Sequence, residues 1–217
     1  MSASSPPDTG NHRSERADSR RKRLRLIEAA RAVVAEKGLD AGAAEIAARA
    51  EVGVGTLYRR FGSLEALVED IVLDGIAEVQ AAADRSLADA DPWSGLTSFL
   101  YAHSKANSAN RGLFEFTAQD ASTLSPQLLR STLELRAAIK EITRRAHEAG
   151  VLREDVAWGD LVVLSLSAVH SGTCLGLRAD GDQWQRVTSL LIEALRAPGR
   201  NPLPSAPPVD LLESTDA

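Results

Sequence analysis

Between Gly55 and Phe61 the chain reads Gly-Thr-Leu-Tyr-Arg-Arg-Phe, a set of side chains suited to gripping a nucleic acid. A helix laid in the major groove needs short side chains near its N-terminus, so that its backbone can approach the base edges. Gly55 and Thr56 meet that need, and the Thr56 hydroxyl can donate to or accept from a base or a phosphate. The Tyr58 phenol can reach a phosphate oxygen; half-buried packing is its alternative role. Arg59 and Arg60 can pair with phosphate or guanine, and solvation alone is the alternative for one of the two. Leu57 and Phe61, four residues apart, read as packing residues. Upstream, Arg20, Arg21, Lys22, Arg23 and Arg25 form a basic run. Such a run reaches flanking phosphates or the minor groove, or only solubilises the chain.

Little else in the chain suggests competing chemistry. There is no HExxH, no phosphate-binding loop, no glycine-rich dinucleotide turn and no supported Ser/His/Asp set. A single cysteine, Cys174, excludes an internal disulfide framework and a cysteine-based zinc site, and reads as a small buried apolar residue. No catalytic residue, metal or cofactor is expected.

The charge is unevenly placed. The 217-residue chain carries a formal −5. Asn11–Gly62 holds 12 basic and 7 acidic residues, a net +5, which leaves −10 on the remainder. Cations that neutralise phosphates release condensed counterions, and this drives salt-dependent DNA affinity.

The elements that must position these groups are helices. Alanine and leucine, both strong helix formers, are the commonest residue types. Only Pro92 and Pro126 fall inside the body, each behind a good N-cap, Asp91 and Ser125, which marks helix starts. A first helix spans 20–37, with a stripe through Leu24, Ile27, Ala30 and Val34 and Gly38 to end it. Short helices at 43–50 and 54–60 with a tight junction make a helix-turn-helix pattern. Ser63 caps a fourth helix reaching about residue 88, and further helices are expected at about 92–109, 112–119, 126–149, 155–177 and 183–197. The reading is all-α, with about nine helices. It divides into a disordered arm (1–19), a helix-turn-helix domain (20–66), a ligand-binding and dimerisation domain (67–197) and a disordered tail (198–217). No apolar run is long enough to cross a membrane and no secretory leader is expected, so the simplest setting is the cytosol.

The stretch Ile46–Leu67 resembles the tetracycline-repressor (TetR) family of bacterial regulators. The resemblance rests on Gly38, Ile46–Ala47, Val52, the run Gly55–Phe61, Ser63 and Glu65–Ala66–Leu67. It implies a homodimeric, sequence-specific repressor that binds double-stranded operator DNA and is released by a small apolar or amphipathic effector. It implies DNA contacts from Arg23, Ala44, Gly53, Val54, Gly55, Thr56, Tyr58, Arg59, Arg60 and Ser63. The sequence departs from the family at the turn, where Ala50–Glu51–Val52 replaces the usual Ala-Gly-Val. A positive φ at Glu51 would cost about 1 kcal/mol. Leu64 replaces a common lysine and so removes one phosphate contact.

For the body, the resemblance implies a pocket and a dimer face. Candidate pocket residues are Trp93, Phe99, His103, Phe114, Phe116, Trp158 and His170, since such pockets combine an apolar lining with few polar anchors. Candidate dimer residues are Leu164, Ala168, Ser171 and Leu175, with Val187 and Leu191 on the last helix. Two other functions remain open: a DNA-binding regulator with no small ligand, constitutive or antagonised by a protein, and a helical scaffold with a vestigial head.

Overall fold

The computed structural model describes residues 9–117, 124–168, 173–174, 177–178, 183–198 and 201–205. The chain divides into two compact units, Met1–Ile71 and Val72–Ala217. The division falls inside a helix, a few residues beyond the boundary expected at 66.

The N-terminal unit holds α1 (Thr9–Lys37), a 3-10 turn (Gly38–Asp40), α2 (Ala43–Arg49), α3 (Val54–Phe61) and the first turns of α4 (Leu64–Ala88). α1 begins eleven residues before the expected start, so the arm expected to be disordered is helical from Thr9 onward. Its arginines, glutamate and alanine are good helix formers, which an apolar stripe alone does not register. The stripe itself is rotated. Leu26, Ala29, Ala30, Val33 and Val34 are buried, whereas Leu24 is exposed. The i, i+3, i+4 spacing from Leu26 gives a denser apolar face than one begun at Leu24. That face closes with Ala41, Ile46, Ala50, Leu57, Leu67 and Ile71 into one core, and Val52, Phe61 and Leu64 pack against it.

Two exposed ion pairs tie α1 to α2: Lys37 Nζ to Glu45 Oε2 at 2.7 Å, and Arg49 Nη1 to Glu36 Oε1 at 2.8 Å. A third joins Arg25 to Glu51 in the following turn. Each adds at most about 1 kcal/mol, but together they commit Arg25 and Arg49 to the protein itself.

The C-terminal unit holds the rest of α4, α5 (Pro92–Ala109), α6 (Arg111–Thr117), α7 (Pro126–Glu148), α8 (Trp158–Ser167) and α9 (Gln183–Leu195). The two proline starts are capped as read from sequence. Asp91 Oδ1 accepts from Trp93 N at 2.9 Å, and Ser125 Oγ accepts from Leu128 N at 3.2 Å. α5 is central and packs against α6, α7, α8 and α9. Arg145 of α7 donates to the carbonyls of Leu87 (2.5 Å) and Asp89 (2.8 Å), which pairs backbone acceptors that a helix end leaves open. The single helix expected over 155–177 is not formed. α8 ends at Ser167, and Thr173–Cys174 (β1) pairs antiparallel with Leu177–Arg178 (β2). The intervening sequence is rich in glycine, serine and threonine, all weak helix formers. The beginning of the expected disordered tail is anchored: Arg153 donates to Asn201 O at 2.6 Å and Leu203 N donates to Asp155 Oδ2 at 2.8 Å.

Candidate nucleic-acid interface

The turn between α2 and α3 sets the recognition geometry. Val52 N donates to Ala47 O at 3.0 Å and Glu51 N to Ala48 O at 3.1 Å. This paired pattern closes the helix only if the residue past the C-cap is left-handed. That residue is Glu51, at φ +53, the only non-glycine with positive φ among the described residues. α7 ends by the same pattern with Gly150 in that place, at φ +66. Glu51→Gly is therefore expected to relieve about 1 kcal/mol of strain, offset in part by loss of the exposed Arg25 pair. The net result is a urea midpoint unchanged or raised; a clear fall would show that the ion pair outweighs the strain.

α3 presents one face outward. Gly53, Val54, Gly55, Tyr58 and Arg59 are exposed, with Tyr58 at 46%. Leu57, on the opposite side, is fully buried. Thr56 is half-buried, and its amide donates to Gly53 O at 2.8 Å. Arg60 is half-buried too, so Arg59 is the more available arginine. The two glycines stand out chemically. Gly53 has φ −72, open to any residue, and a Cβ added at either Gly53 or Gly55 meets nothing within 4 Å. Gly53 is the N-cap, where glycine is favoured over alanine; at Gly55 neither backbone conformation nor internal packing calls for glycine. Gly95 is the contrast, since its Cβ would lie 2.5 Å from the Ser86 carbonyl oxygen.

The remaining candidates flank this face. Ala44 is exposed on α2. Arg23 is exposed, with its guanidinium 5.4 Å from the centre of the Phe61 ring. Ser63 caps α4 by accepting from Ala66 N at 3.0 Å. The Glu65 amide and the Ser63 hydroxyl hold the Glu65 carboxyl below its usual range, as suits an acid at the positive end of a helix.

In the other unit, α5 carries its buried stripe from Leu96, Phe99 and Leu100 into polar residues, His103, Ser104 and Asn107. The His103 ring stacks on Phe99 at 5.6 Å, and its Nδ1 lies 2.7 Å from Ser165 Oγ on α8. Ser104 Oγ donates to Ser165 O at 3.2 Å. Burial pushes His103 down to about 4, so it is neutral near pH 7.

The family model for bacterial regulatory proteins, tetR family, matches residues 26–71, and that for the transcriptional regulator SbtR-like C-terminal domain matches residues 91–197. The chain belongs to the tetR family. It is a DNA-binding transcriptional regulator, not an enzyme. A TetR regulator of Mycobacterium vanbaalenii is 28% identical, with a TM-score of 0.54 over 83% of this chain and 98% of that one. SCO0520 of Streptomyces coelicolor is 27% identical, with a TM-score of 0.54 over 80% and 98%. PfmR of Thermus thermophilus is 25% identical, with a TM-score of 0.60 over 84% and 97%. No curated protein matches by sequence. Members of the family bind operator DNA, act as dimers and have ligand-binding C-terminal domains. Among the described residues, no helix is long and apolar enough to cross a membrane.

In this TetR-family chain the candidate pocket residues are carried by α5, α6 and α8, apart from His170. Phe99 and His103 are in contact. Trp93 lies beneath Arg196, 5.1 Å from its ring centre. Trp158 is flanked by Arg136 and Lys140 of α7, at 5.0 and 5.2 Å. His170 and the side chains of Phe114 and Phe116 lie outside the described residues. Of the candidate dimer residues, Ala168 is buried within its own chain, and Leu164, Val187 and Leu191 are half-buried. Ser171 and Leu175 lie outside the described residues. The most exposed large apolar side chains of α8 and α9 are instead Val163 (65%) and Leu190 (60%). Ser104, Asn107, Ser165 and Thr188 are buried polar residues that the sequence does not single out; the available signal is polar side chains at stripe positions of α5, α8 and α9.

Proposed function

We propose that this regulator is a homodimeric repressor released from its operator by a small apolar or amphipathic effector. The observation that carries the DNA-contacting face is Gly55, inside the first turn of α3. Glycine in a helix costs about 1 kcal/mol relative to alanine, and neither backbone nor neighbours require it here. A surface approaching from outside does require it, and a duplex groove with Tyr58 and Arg59 beside it is such a surface. A second copy of the chain covers Val163 and Leu190 on α8 and α9, and a two-fold dimer reads half-sites one helical turn apart. The effector acts by preferring a body conformation in which the heads no longer match adjacent grooves, which takes about 1–3 kcal/mol of differential affinity.

The test is binding of the chain to its own upstream DNA across a salt series. Arg59→Ala should weaken binding to all sequences and reduce the salt slope by about 1. Tyr58→Ala should lower affinity about tenfold, the equivalent of about 1.4 kcal/mol, with the dimer retained in size-exclusion chromatography. Unchanged affinity in both variants would rule out this face.

A further inference from the structure

Two fully buried side chains of the body each carry a polar atom that its own fold leaves unanswered. Asn107 is 1% exposed, and its Nδ2 donates to the His103 carbonyl at 2.9 Å. That bond fixes the amide orientation, because the flipped amide would set oxygen against oxygen. Asn107 Oδ1 then has no hydrogen-bond partner. Thr188 on α9 is 2% exposed, and its Oγ1 has none either. Buried polar groups are otherwise almost always paired, so each such exception points to a missing partner.

The helices that carry them, α5 and α9, pack on one another and on α8. Ser189, the neighbour of Thr188, has its Oγ 2.7 Å from Tyr101 Oη. That contact sets Thr188 beside the turn of α5 that carries His103. Apolar walls come from Phe99 and Leu161, both buried.

We propose that this junction seats the effector, and that the effector is an uncharged amphipath whose head donates a hydrogen bond to Asn107 Oδ1 and exchanges one with the Thr188 hydroxyl as donor or acceptor, of the class of long-chain alcohols and primary amides. The proposal rests on the reading that an effector acts on the body. Among the described residues no buried Lys, Arg, Asp or Glu offers a carboxylate or ammonium head a counter-charge, and His103 is neutral. An unpaired charge in such a place is strongly disfavoured. Asn107 Oδ1 is an acceptor only, so a ligand that merely accepts, such as a methyl ester, leaves it unanswered.

The probes are decanamide, 1-decanol, decanoate and methyl decanoate, with thermal melting, calorimetric titration and retention of upstream DNA read on the full chain. Decanamide and 1-decanol should raise the wild-type melting temperature; decanoate and methyl decanoate should not. Asn107→Leu and Thr188→Val should each weaken decanamide binding at least tenfold. Thr188→Val, which removes the unanswered hydroxyl at constant volume, should also raise the ligand-free melting temperature by about 2–4 °C. A lower melting temperature for Thr188→Val would mean that the hydroxyl is already satisfied, and would overturn the proposal. So would equal binding of decanoate and decanamide, or binding of none of the four. The two readings fail separately. DNA binding without binding of any probe overturns the seat alone; decanamide binding without DNA binding overturns the repressor alone.

Discussion

Replacing Gly55 with leucine is expected to stabilise the N-terminal unit and lower its DNA affinity about a hundredfold. The stability half follows from the protein alone. Residue 55 lies inside α3, where leucine is favoured over glycine by about 0.8–1 kcal/mol, and a Cβ there meets nothing within 4 Å. The side chain therefore extends into solvent without displacing Leu57 or any other core residue. The binding half follows from what approaches that surface. Val54, Tyr58 and Arg59 are exposed around residue 55, so if the proposed face meets a duplex, a leucine there holds the helix backbone away from the base edges. A hundredfold loss corresponds to about 2.8 kcal/mol.

The opposite signs make the result diagnostic. A substitution that damages the fold loses stability and binding together, as Gly95→Ala should through its clash with the Ser86 carbonyl. Gly55→Leu separates them. Urea unfolding and fluorescence anisotropy on upstream DNA at one fixed salt concentration suffice to read both. Retained DNA affinity in a stabilised variant would move the interface off α3.

The parts of this molecule that are legible in sequence are those set by neighbouring residues. Asp91–Pro92 and Ser125–Pro126 announce helix starts because the cap and the ring act within one turn. Glu51 is readable as a departure from the glycine usual in that turn, and the structure shows that its φ is +53. The recognition helix is readable because its types and spacing are local as well. What depends on which helices meet is not. The α1 stripe reads two residues too early, since only packing shows that Leu26 and Val33, rather than Leu24, face the core. The 155–177 segment reads as one helix because Val and Leu dominate its first half, and its later glycines then pass for packing residues rather than helix breakers. Tyr58 and Arg59 are evident from their types, but their ranking above Arg60 needs their exposure. The unanswered oxygens of Asn107 and Thr188 exist only once α5, α8 and α9 have assembled, so no local pattern discloses them.

Lowering the pH from about 6.5 to about 4 should destabilise the body by about 3 kcal/mol through His103 alone. Burial pushes this imidazole down to about 4, while in the unfolded chain it titrates near 6.5. Between those values the unfolded chain binds a proton that the folded chain refuses. Stability is therefore complete above about pH 6.5 and falls by about 1.4 kcal/mol per pH unit below it. The slope ends near pH 4, where folded His103 is itself protonated. Carboxylates act in a separate, lower window. Backbone bonding at Asp91 and the Ser94 hydroxyl lower Asp89, and Arg153 lowers Asp155. Their contributions are present above the ordinary carboxylate range and are lost only as pH falls through their depressed values. Urea unfolding of wild type and His103→Gln at about pH 7.5, 6, 5 and 4.5 isolates the histidine. The variant forfeits the Phe99 stack at every pH, so its stability starts lower, but the difference between the two proteins should shrink steadily below about pH 6.5. Parallel curves would mean that His103 is solvated or already charged. A charged imidazole in the wall of the proposed effector seat would offer a carboxylate head the counter-charge it otherwise lacks, and the expected preference for decanamide over decanoate would lose its electrostatic basis.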